Sequence, residues 1–154
     1  CHLDHVFGNK FVYDTWGIPL HIHPIEKPVL DFAPQSGIMW QLPFDNYEGP
    51  LVYLDEKKSI KIGEDELEIR FTPGHSPGSV SFYHAAGNFI IGGDVLFSRS
   101  VGRTDLPGGN FETLVESIQT QFFTLPDDTK VYSGHGPVTT VGFEKMNNPF
   151  VKMF

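Results

Sequence analysis

Short segments of alternating apolar and polar residues recur along the chain, and glycine-containing turns separate them. Residues 67–71 (Leu-Glu-Ile-Arg-Phe) alternate strictly, which is typical of a strand with one buried face. Residues 63–66 (Gly-Glu-Asp-Glu) join this segment to a preceding alternating run and predict a hairpin, and residues 85–87 (Ala-Ala-Gly) predict a second hairpin. The sequence predicts strands at residues 20–23, 59–62, 67–72, 79–84, 88–91 and 130–132.

Helical spacing is clearest where Leu114, Ile118 and Phe122 recur on one face. Asn110 precedes this segment and can cap the helix through its side chain. An earlier helix is expected to end at Gly17, because glycine readily adopts the left-handed conformation of a helix terminus. Helices are predicted at residues 6–16, 111–123 and 140–147, the last ending before a proline.

The segment at residues 34–50 shows no clear periodicity and is predicted to be irregular. Its aromatic residues, Trp40, Phe44 and Tyr47, are expected to pack in a core rather than to line a substrate site. Elsewhere strands and helices alternate without an internal repeat or a linker. The sequence therefore predicts one α/β domain over residues 1–154.

Composition and charge restrict the class of protein and the kinds of binding partner that are expected. The chain has 154 residues, of which 40% are hydrophobic and 19% charged, as expected of a globular domain that buries a core. A net charge of −8 argues against nucleic acid, since phosphates would be repelled. No apolar stretch is long enough to span a bilayer, so no membrane partner is expected. The single cysteine, Cys1, excludes an internal disulfide framework and agrees with a reducing, cytoplasmic compartment.

Side chains that can bind metal ions lie beside glycines or at the ends of predicted strands. Because glycine lets the backbone approach closely, such loops can bring distant side chains around one ion. Neutral imidazole and carboxylate suit zinc and also iron. One cluster would contain His2 and His75 and the other Asp4, His5 and His135, with the carboxylate of Asp94 shared between them. The candidate metal ligands are His2, Asp4, His5, His75, Asp94 and His135.

The remaining histidines are more simply explained as surface residues. His21 and His23 share one face of a predicted strand, and solvent exposure is expected for both. His84 ends a predicted hairpin strand and is also expected to be solvated. Arg103, Thr104 and Asp105 lie in a glycine-rich loop, where they could brace the metal ligands or only shape the turn.

The order of the motifs resembles the metallo-β-lactamase superfamily, and within it the short, single-domain branch of the glyoxalase II-like (hydroxyacylglutathione hydrolase-like) thioester hydrolases. The motifs that carry the resemblance are His-Leu-Asp-His at residues 2–5, Thr-Pro-Gly-His-Ser-Pro-Gly at 72–78, Gly-Gly-Asp at 92–94 and Ser-Gly-His-Gly-Pro at 133–137. Residues 100–109 (Ser-Val-Gly-Arg-Thr-Asp-Leu-Pro-Gly-Gly) are similar to a loop of that branch and, more loosely, to one of the persulfide dioxygenases.

The resemblance implies a four-layer αββα sandwich with two zinc sites, in which iron or manganese are alternatives. It also implies hydrolysis of a glutathione-type or other small thioester by a metal-bound hydroxide. Asp94 would hold this hydroxide and Asp4 would orient it, which makes these two the expected catalytic residues. A mononuclear iron dioxygenase acting on a persulfide and a metal-poor inactive fragment are the alternatives.

Two departures from the family's pattern change the expectations for this chain. The family's first motif histidine and the strands before it are missing, so the chain is expected to be an N-terminally truncated form. The position containing His2 is then expected to bind metal weakly, and activity is expected to be low. Apolar surface left uncovered would favour self-association as a homo-oligomer. The helical C-terminal domain that binds glutathione in classical members is expected to be absent as well.

Overall fold

A computed structural model of the chain describes residues 1–42 and 44–151. It divides into two compact units, Cys1–Leu54 and Asp55–Phe154. Helices and strands occur in both, which confirms the predicted mixed α/β class. None of the helices in the described part of the chain combines the length and apolar character needed to cross a membrane.

The first unit consists of three α-helices, a short 3₁₀ helix and a two-stranded parallel sheet. Its elements are α1 (Leu3–Val6), α2 (Asn9–Trp16), β1 (Leu20–Ile22), the 3₁₀ helix Pro24–Glu26, α3 (Lys27–Met39) and β2 (Leu51–Tyr53). Strands β1 and β2 are in register at Leu20 and Leu51. A small apolar core contains Val6, Ile22, Leu30 and Ala33.

The helix predicted at residues 6–16 is wrong at its N-terminal end. The chain forms two helices, α1 and α2, which are separated by Phe7 and Gly8. Asp4 and His5 consequently lie within a helix and not in a loop before one. The predicted end is confirmed, because Gly17 has φ 68° and its N–H donates to the carbonyl of Tyr13.

The prediction of irregular structure at residues 34–50 is wrong for its first part, which continues α3 to Met39. Pro34 lies inside this helix, where it cannot donate to the carbonyl four residues earlier. That carbonyl belongs to Leu30, and the side-chain amide of Asn46 donates to it at 3.3 Å. Burial of Leu30 and Ala33 favours the helix further. Strand β2 was not predicted either.

The second unit is built around a six-stranded sheet. Its elements are β3 (Ser59–Ile62), β4 (Asp65–Phe71), β5 (Val80–His84), β6 (Phe89–Gly93), β7 (Leu96–Phe97), β8 (Ser100–Val101), α4 (Phe111–Ser117), the π-helical turn Ile118–Phe122, β9 (Lys130–Ser133), β10 (Thr139–Thr140) and α5 (Val141–Asn147). The strand order is β10-β9-β6-β5-β4-β3, and β6 and β9 are parallel whereas the other neighbours are antiparallel. Both predicted hairpins are confirmed.

The core of the second unit contains the predicted helical stripe. Leu114, Ile118 and Phe122 are fully buried and pack with apolar residues of the sheet, including Ile90 and Val131. The side chain of Asn110 accepts a hydrogen bond from the backbone N–H of Thr113 at 2.9 Å, which confirms the predicted cap. The predicted helix is therefore correct in extent, although its last turn is π-helical.

Two histidines that were expected in solvent are held by the protein. His23 is 7% exposed, and its Nδ1 accepts from the backbone N–H of Ile25 at the start of the 3₁₀ helix. The side chain of His84 is 12% exposed, with its Nε2 3.2 Å from the carboxylate of Asp65 and its ring against Phe89. His21 is exposed, as predicted. The expected self-association stays a prediction.

Candidate metal centre

His75 lies in the loop that follows β4, and the protein fixes its ring from the side away from the other candidate ligands. Its Nδ1 is 2.8 Å from the backbone oxygen of Arg103. Because a carbonyl oxygen can only accept, Nδ1 carries a proton, and in the neutral ring Nε2 then has the lone pair that a metal ion needs. The residue is 6% exposed, so the ring has little freedom to rotate. This arrangement is the one that metal-binding histidines commonly use.

Asp94 follows β6, at the end of the strand, and its side chain is 10% exposed. Its Oδ2 atom lies 3.5 Å from Nε2 of His75. His135 follows β9, the parallel neighbour of β6, and its Nε2 lies 3.4 Å from the same oxygen. A backbone hydrogen bond from Gly134 to Gly93 at 2.8 Å joins the two strand ends. The sheet thus brings three predicted ligands together.

Each of the two imidazole–carboxylate separations fits a pair of ligands on one metal ion. A hydrogen bond from an imidazole to a carboxylate would normally be about 2.7 to 3.2 Å long. Two atoms that each lie roughly 2.0 to 2.1 Å from a tetrahedral zinc ion are about 3.3 Å apart. The observed distances of 3.5 and 3.4 Å are closer to the second value. Two imidazole nitrogens and a carboxylate oxygen are also ligands that zinc and iron accept.

Two glycines lie so close to Asp94 that a side chain at either position would clash with it. A Cβ atom at Gly134 would lie 2.1 Å from Oδ1 of Asp94, and one at Gly102 would lie 1.9 Å from its backbone oxygen. Neither glycine has a positive φ, so both are required for space and not for backbone conformation. The sequence indicated glycine-flanked ligands, but it did not show which glycines contact the carboxylate.

The remaining candidate ligands belong to the first unit. His2 precedes α1 and its carbonyl accepts from the N–H of His5 at 3.0 Å. Nε2 of His5 lies 3.5 Å from Oδ2 of Asp4, with the two side chains 38% and 55% exposed. This imidazole–carboxylate spacing repeats the one around Asp94. The assignment of His2, Asp4 and His5 to the same centre stays a prediction.

The loop after β8 contributes through its backbone. The carbonyl of Arg103 accepts from His75, whereas its guanidinium forms two hydrogen bonds with Asp105, at 2.7 and 2.6 Å. The sequence left two roles open for these side chains, bracing the ligands or shaping the turn. The contact to His75 is instead made by the main-chain oxygen of Arg103. Every residue has such an oxygen, so residue type cannot predict this contact.

The pKa of Asp105 provides a test of this ion pair. Hydrogen bonds from the Arg103 guanidinium lower the pKa of the Asp105 carboxyl from 3.8 to about 2. A lowered pKa means that the pair stabilises the fold above about pH 3.8 and that this contribution is lost as the pH falls towards 2. We expect Arg103→Gln to raise the pKa of Asp105 towards 3.8. A pH titration followed by carboxyl ¹³C NMR would measure the pKa of Asp105, with the exposed Asp128 as reference. An unchanged pKa of Asp105 in the variant would show that Arg103 does not cause the lowered value.

Comparison with known proteins places the chain in a family. The family model described as the metallo-beta-lactamase superfamily matches residues 1–135. The chain is 44% identical to the probable metallo-hydrolase YqgX of Bacillus subtilis, over 100% of this chain and 74% of that protein. It is 35% identical to the hydroxyacylglutathione hydrolase GloC of Haemophilus influenzae, over 97% of this chain and 72% of that protein.

Two solved structures are similar to this chain in both fold and sequence. TTHA1623, crystallised in a di-iron-bound form, superposes with a TM-score of 0.89 at 35% identity, covering 97% of this chain and 73% of that one. The B3 metallo-beta-lactamase BLEG-1 has a TM-score of 0.89 at 41% identity, with the same coverage of 97% and 73%. The expected fold is thereby confirmed. The chain belongs to the metallo-beta-lactamase superfamily, with metallo-hydrolases among its relatives.

Proposed function

We propose that the protein is a metal-dependent hydrolase that cleaves a glutathione-type or other small thioester. One observation carries the proposal: Oδ2 of Asp94 lies 3.5 and 3.4 Å from the Nε2 atoms of His75 and His135. This donor set suits a metal ion, and metal-assisted hydrolysis requires no serine or cysteine nucleophile. The similarity to GloC, which is named a hydroxyacylglutathione hydrolase, supports a thioester as the substrate.

The proposed centre has two metal positions that share Asp94. His2 and His75 would complete one position, and Asp4, His5 and His135 the other. Zinc is proposed because its usual ligands are imidazole and carboxylate, and iron or manganese would be alternatives. The di-iron form of TTHA1623 supports iron as one of them. A bound zinc ion would lower the pKa of water to about 7 and polarise a carbonyl group.

The chain's own residues would position the reactants. Asp94 would keep the two positions together, since its carboxylate reaches both imidazoles. The bond from Nδ1 of His75 to the carbonyl of Arg103 would hold that ring in the required tautomer. Asp94 would hold the attacking hydroxide, and Asp4 would orient it. The thiol product leaves as a thiolate without a strong acid, because a typical thiol has a pKa of about 8.5.

The substrate can be tested directly. Metal-free protein, and the same protein supplied with zinc or with iron, should be assayed on S-lactoylglutathione. We expect zinc to restore hydrolysis and about two ions to bind per chain. No hydrolysis with any metal, at full occupancy, would contradict the proposal.

Two further substrates separate the alternatives. An iron dioxygenase is the second candidate, favoured by the similarity of residues 100–109 to a loop of the persulfide dioxygenases. It would consume oxygen with glutathione persulfide and bind about one iron per chain. Because BLEG-1 is described as a B3 metallo-beta-lactamase, a cephalosporin serves as a third substrate. Faster turnover of the persulfide or the cephalosporin than of the thioester would replace the proposed activity by that one.

We also propose a cytoplasmic location and small-molecule partners. The support is the composition: Cys1 is the only cysteine and is a free thiol, and the net charge of −8 disfavours nucleic acid.

A further inference from the structure

Glu144 is a fully buried carboxylate that has no part in the proposed chemistry. It lies in α5 and is 0% exposed. Its Oε2 accepts from the backbone N–H of Arg99 at 3.0 Å and from the side-chain amide of Asn148 at 2.8 Å. Its Oε1 accepts from the hydroxyl of Thr139 at 2.5 Å. A buried carboxylate is costly unless it is well hydrogen-bonded, so this network has to be kept intact.

The first contact of Glu144 fixes the turn of the β7–β8 hairpin. Arg99 has φ 56°, a left-handed conformation that is uncommon for residues other than glycine. Helix α5 supports this turn in two further ways: the guanidinium of Arg99 stacks on the ring of Phe143 at 5.4 Å, and the Asn148 amide donates to the carbonyl of Ser100 at 3.0 Å. The hairpin has only two residues per strand, so it depends on support from outside.

The base of the same hairpin carries two parts of the candidate metal centre. Asp94 lies just before β7, and Arg103, whose carbonyl accepts from His75, lies just after β8. The N–H of Gly102 donates to the carbonyl of Val95 at 3.1 Å and closes this base. A shift of the hairpin would therefore move Asp94 and the acceptor of His75 together.

The contact with Thr139 extends the network to the third ligand. Thr139 follows the His135 loop and pairs with Val131 of β9. The hydroxyl of Ser133, also in β9, donates to the carbonyl of Leu96 in β7 at 2.6 Å. One carboxylate thus contacts both segments that must keep their spacing around the centre.

We propose that Glu144 is a positioning residue for the candidate metal centre, and that its charge and its two acceptor oxygens keep His75, Asp94 and His135 at ligand spacing. The inference rests on the proposed metal centre. Glutamine has the same shape but no charge and only one acceptor oxygen. Its NH₂ group would either face the donors at Arg99 and Asn148 or, facing Thr139, force that hydroxyl to accept instead of donate. Glu144→Gln should loosen the hairpin even where the protein remains folded.

The test compares Glu144→Gln with Val141→Ala, a core variant in the same helix whose side chain is fully buried but makes no polar contact. Zinc affinity would be measured by competition with a chelator at a temperature where both are folded. We expect Glu144→Gln to weaken zinc binding about 10- to 100-fold, the usual effect of losing a group that orients a ligand. Val141→Ala should bind as the wild type does, although it melts at a lower temperature.

A second measurement needs no metal. In the apo-protein, hydrogen exchange of the Gly102 amide measures how often the base of the hairpin opens. The ¹⁵N NMR signals of the His75 imidazole show which ring nitrogen carries the proton. Glu144→Gln should speed that exchange and mix the two tautomers, and Val141→Ala should do neither. Unchanged zinc affinity and unchanged exchange in Glu144→Gln would overturn the proposal. If the wild type binds no zinc, the proposed centre fails, and the apo measurements still decide the role of Glu144.

If Glu144→Gln does not fold, Thr139→Val removes one donor to the carboxylate and keeps the side chain's shape. Its control is Thr129→Val, which removes another hydroxyl of a buried residue, hydrogen-bonded to Asn88 at 2.7 Å. Weaker zinc binding in Thr139→Val than in Thr129→Val supports the positioning role, and equal binding contradicts it.

Discussion

Replacing Asp94 by asparagine is expected to abolish metal binding at the candidate centre and, with it, hydrolysis. Oδ2 of Asp94 is the atom that both His75 and His135 approach, at 3.5 and 3.4 Å. The amide removes the negative charge and one of the two acceptor oxygens. Loss of a residue that only orients a ligand lowers metal affinity or activity about 10- to 100-fold, so loss of the shared ligand should lower metal affinity more than about 100-fold. Elemental analysis after dialysis and the thioester assay would measure both effects.

The control for Asp94→Asn is Asp128→Asn, which changes the net charge equally at an exposed position of the same unit. We expect both variants to fold, and the melting temperature of metal-free Asp94→Asn to change little. If Asp94→Asn bound zinc as firmly as the wild type, the three residues would not form a metal centre. If it unfolded without metal, Asp94 would have a structural role that the spacing of ligands does not explain.

The second unit could be predicted well because its signals are local. The strict alternation at residues 67–71 became β4, and Gly63, with φ 62°, makes the hairpin turn that its position suggested. The stripe of Leu114, Ile118 and Phe122 became the buried face of a helix. Each of these elements is determined by neighbours in sequence, and packing then agrees with the local preference.

The first unit was harder to predict because contacts distant in sequence decide it. Pro34 argues against a helix locally, and the amide of Asn46, twelve residues later, supplies the carbonyl of Leu30 with a donor. The break at Gly8 differs, because glycine is a local signal against helix that the prediction of one continuous helix overlooked. His23 was expected in solvent, and its cap on the following 3₁₀ helix becomes visible only in the structure.

Residue types identified the candidate ligands but not what holds them. His75, Asp94 and His135 could be selected from the sequence because few side chains bind metals and each lies beside glycine or at a strand end. The acceptor of His75 is a backbone oxygen, and Glu144 lies fifty residues after Asp94 in a segment that reads as an ordinary amphipathic helix. Sequence patterns indicate side-chain chemistry and periodicity. They do not indicate a backbone acceptor or a buried carboxylate that holds ligands distant in sequence.

Gly134→Ala is expected to weaken metal binding through space alone. The added Cβ would lie 2.1 Å from Oδ1 of Asp94, far inside van der Waals contact, so the carboxylate or the loop that carries His135 has to move. Because donor atoms must be placed within a few tenths of an ångström of their positions, we expect zinc affinity to fall about 10- to 100-fold. Chelator competition would measure the change.

The matched control for Gly134→Ala is Gly63→Ala, in the turn between β3 and β4. Gly63 has φ 62° and no atom near its Cβ position, so alanine there strains the backbone, at a cost of about 1 kcal/mol or more, without a clash. We expect Gly63→Ala to melt at a lower temperature and to bind zinc normally, and Gly134→Ala to show the larger loss of affinity at equal stability. If both variants lost affinity in proportion to their stability, the space around Asp94 would not control the centre, and general loosening of the unit would explain the effect.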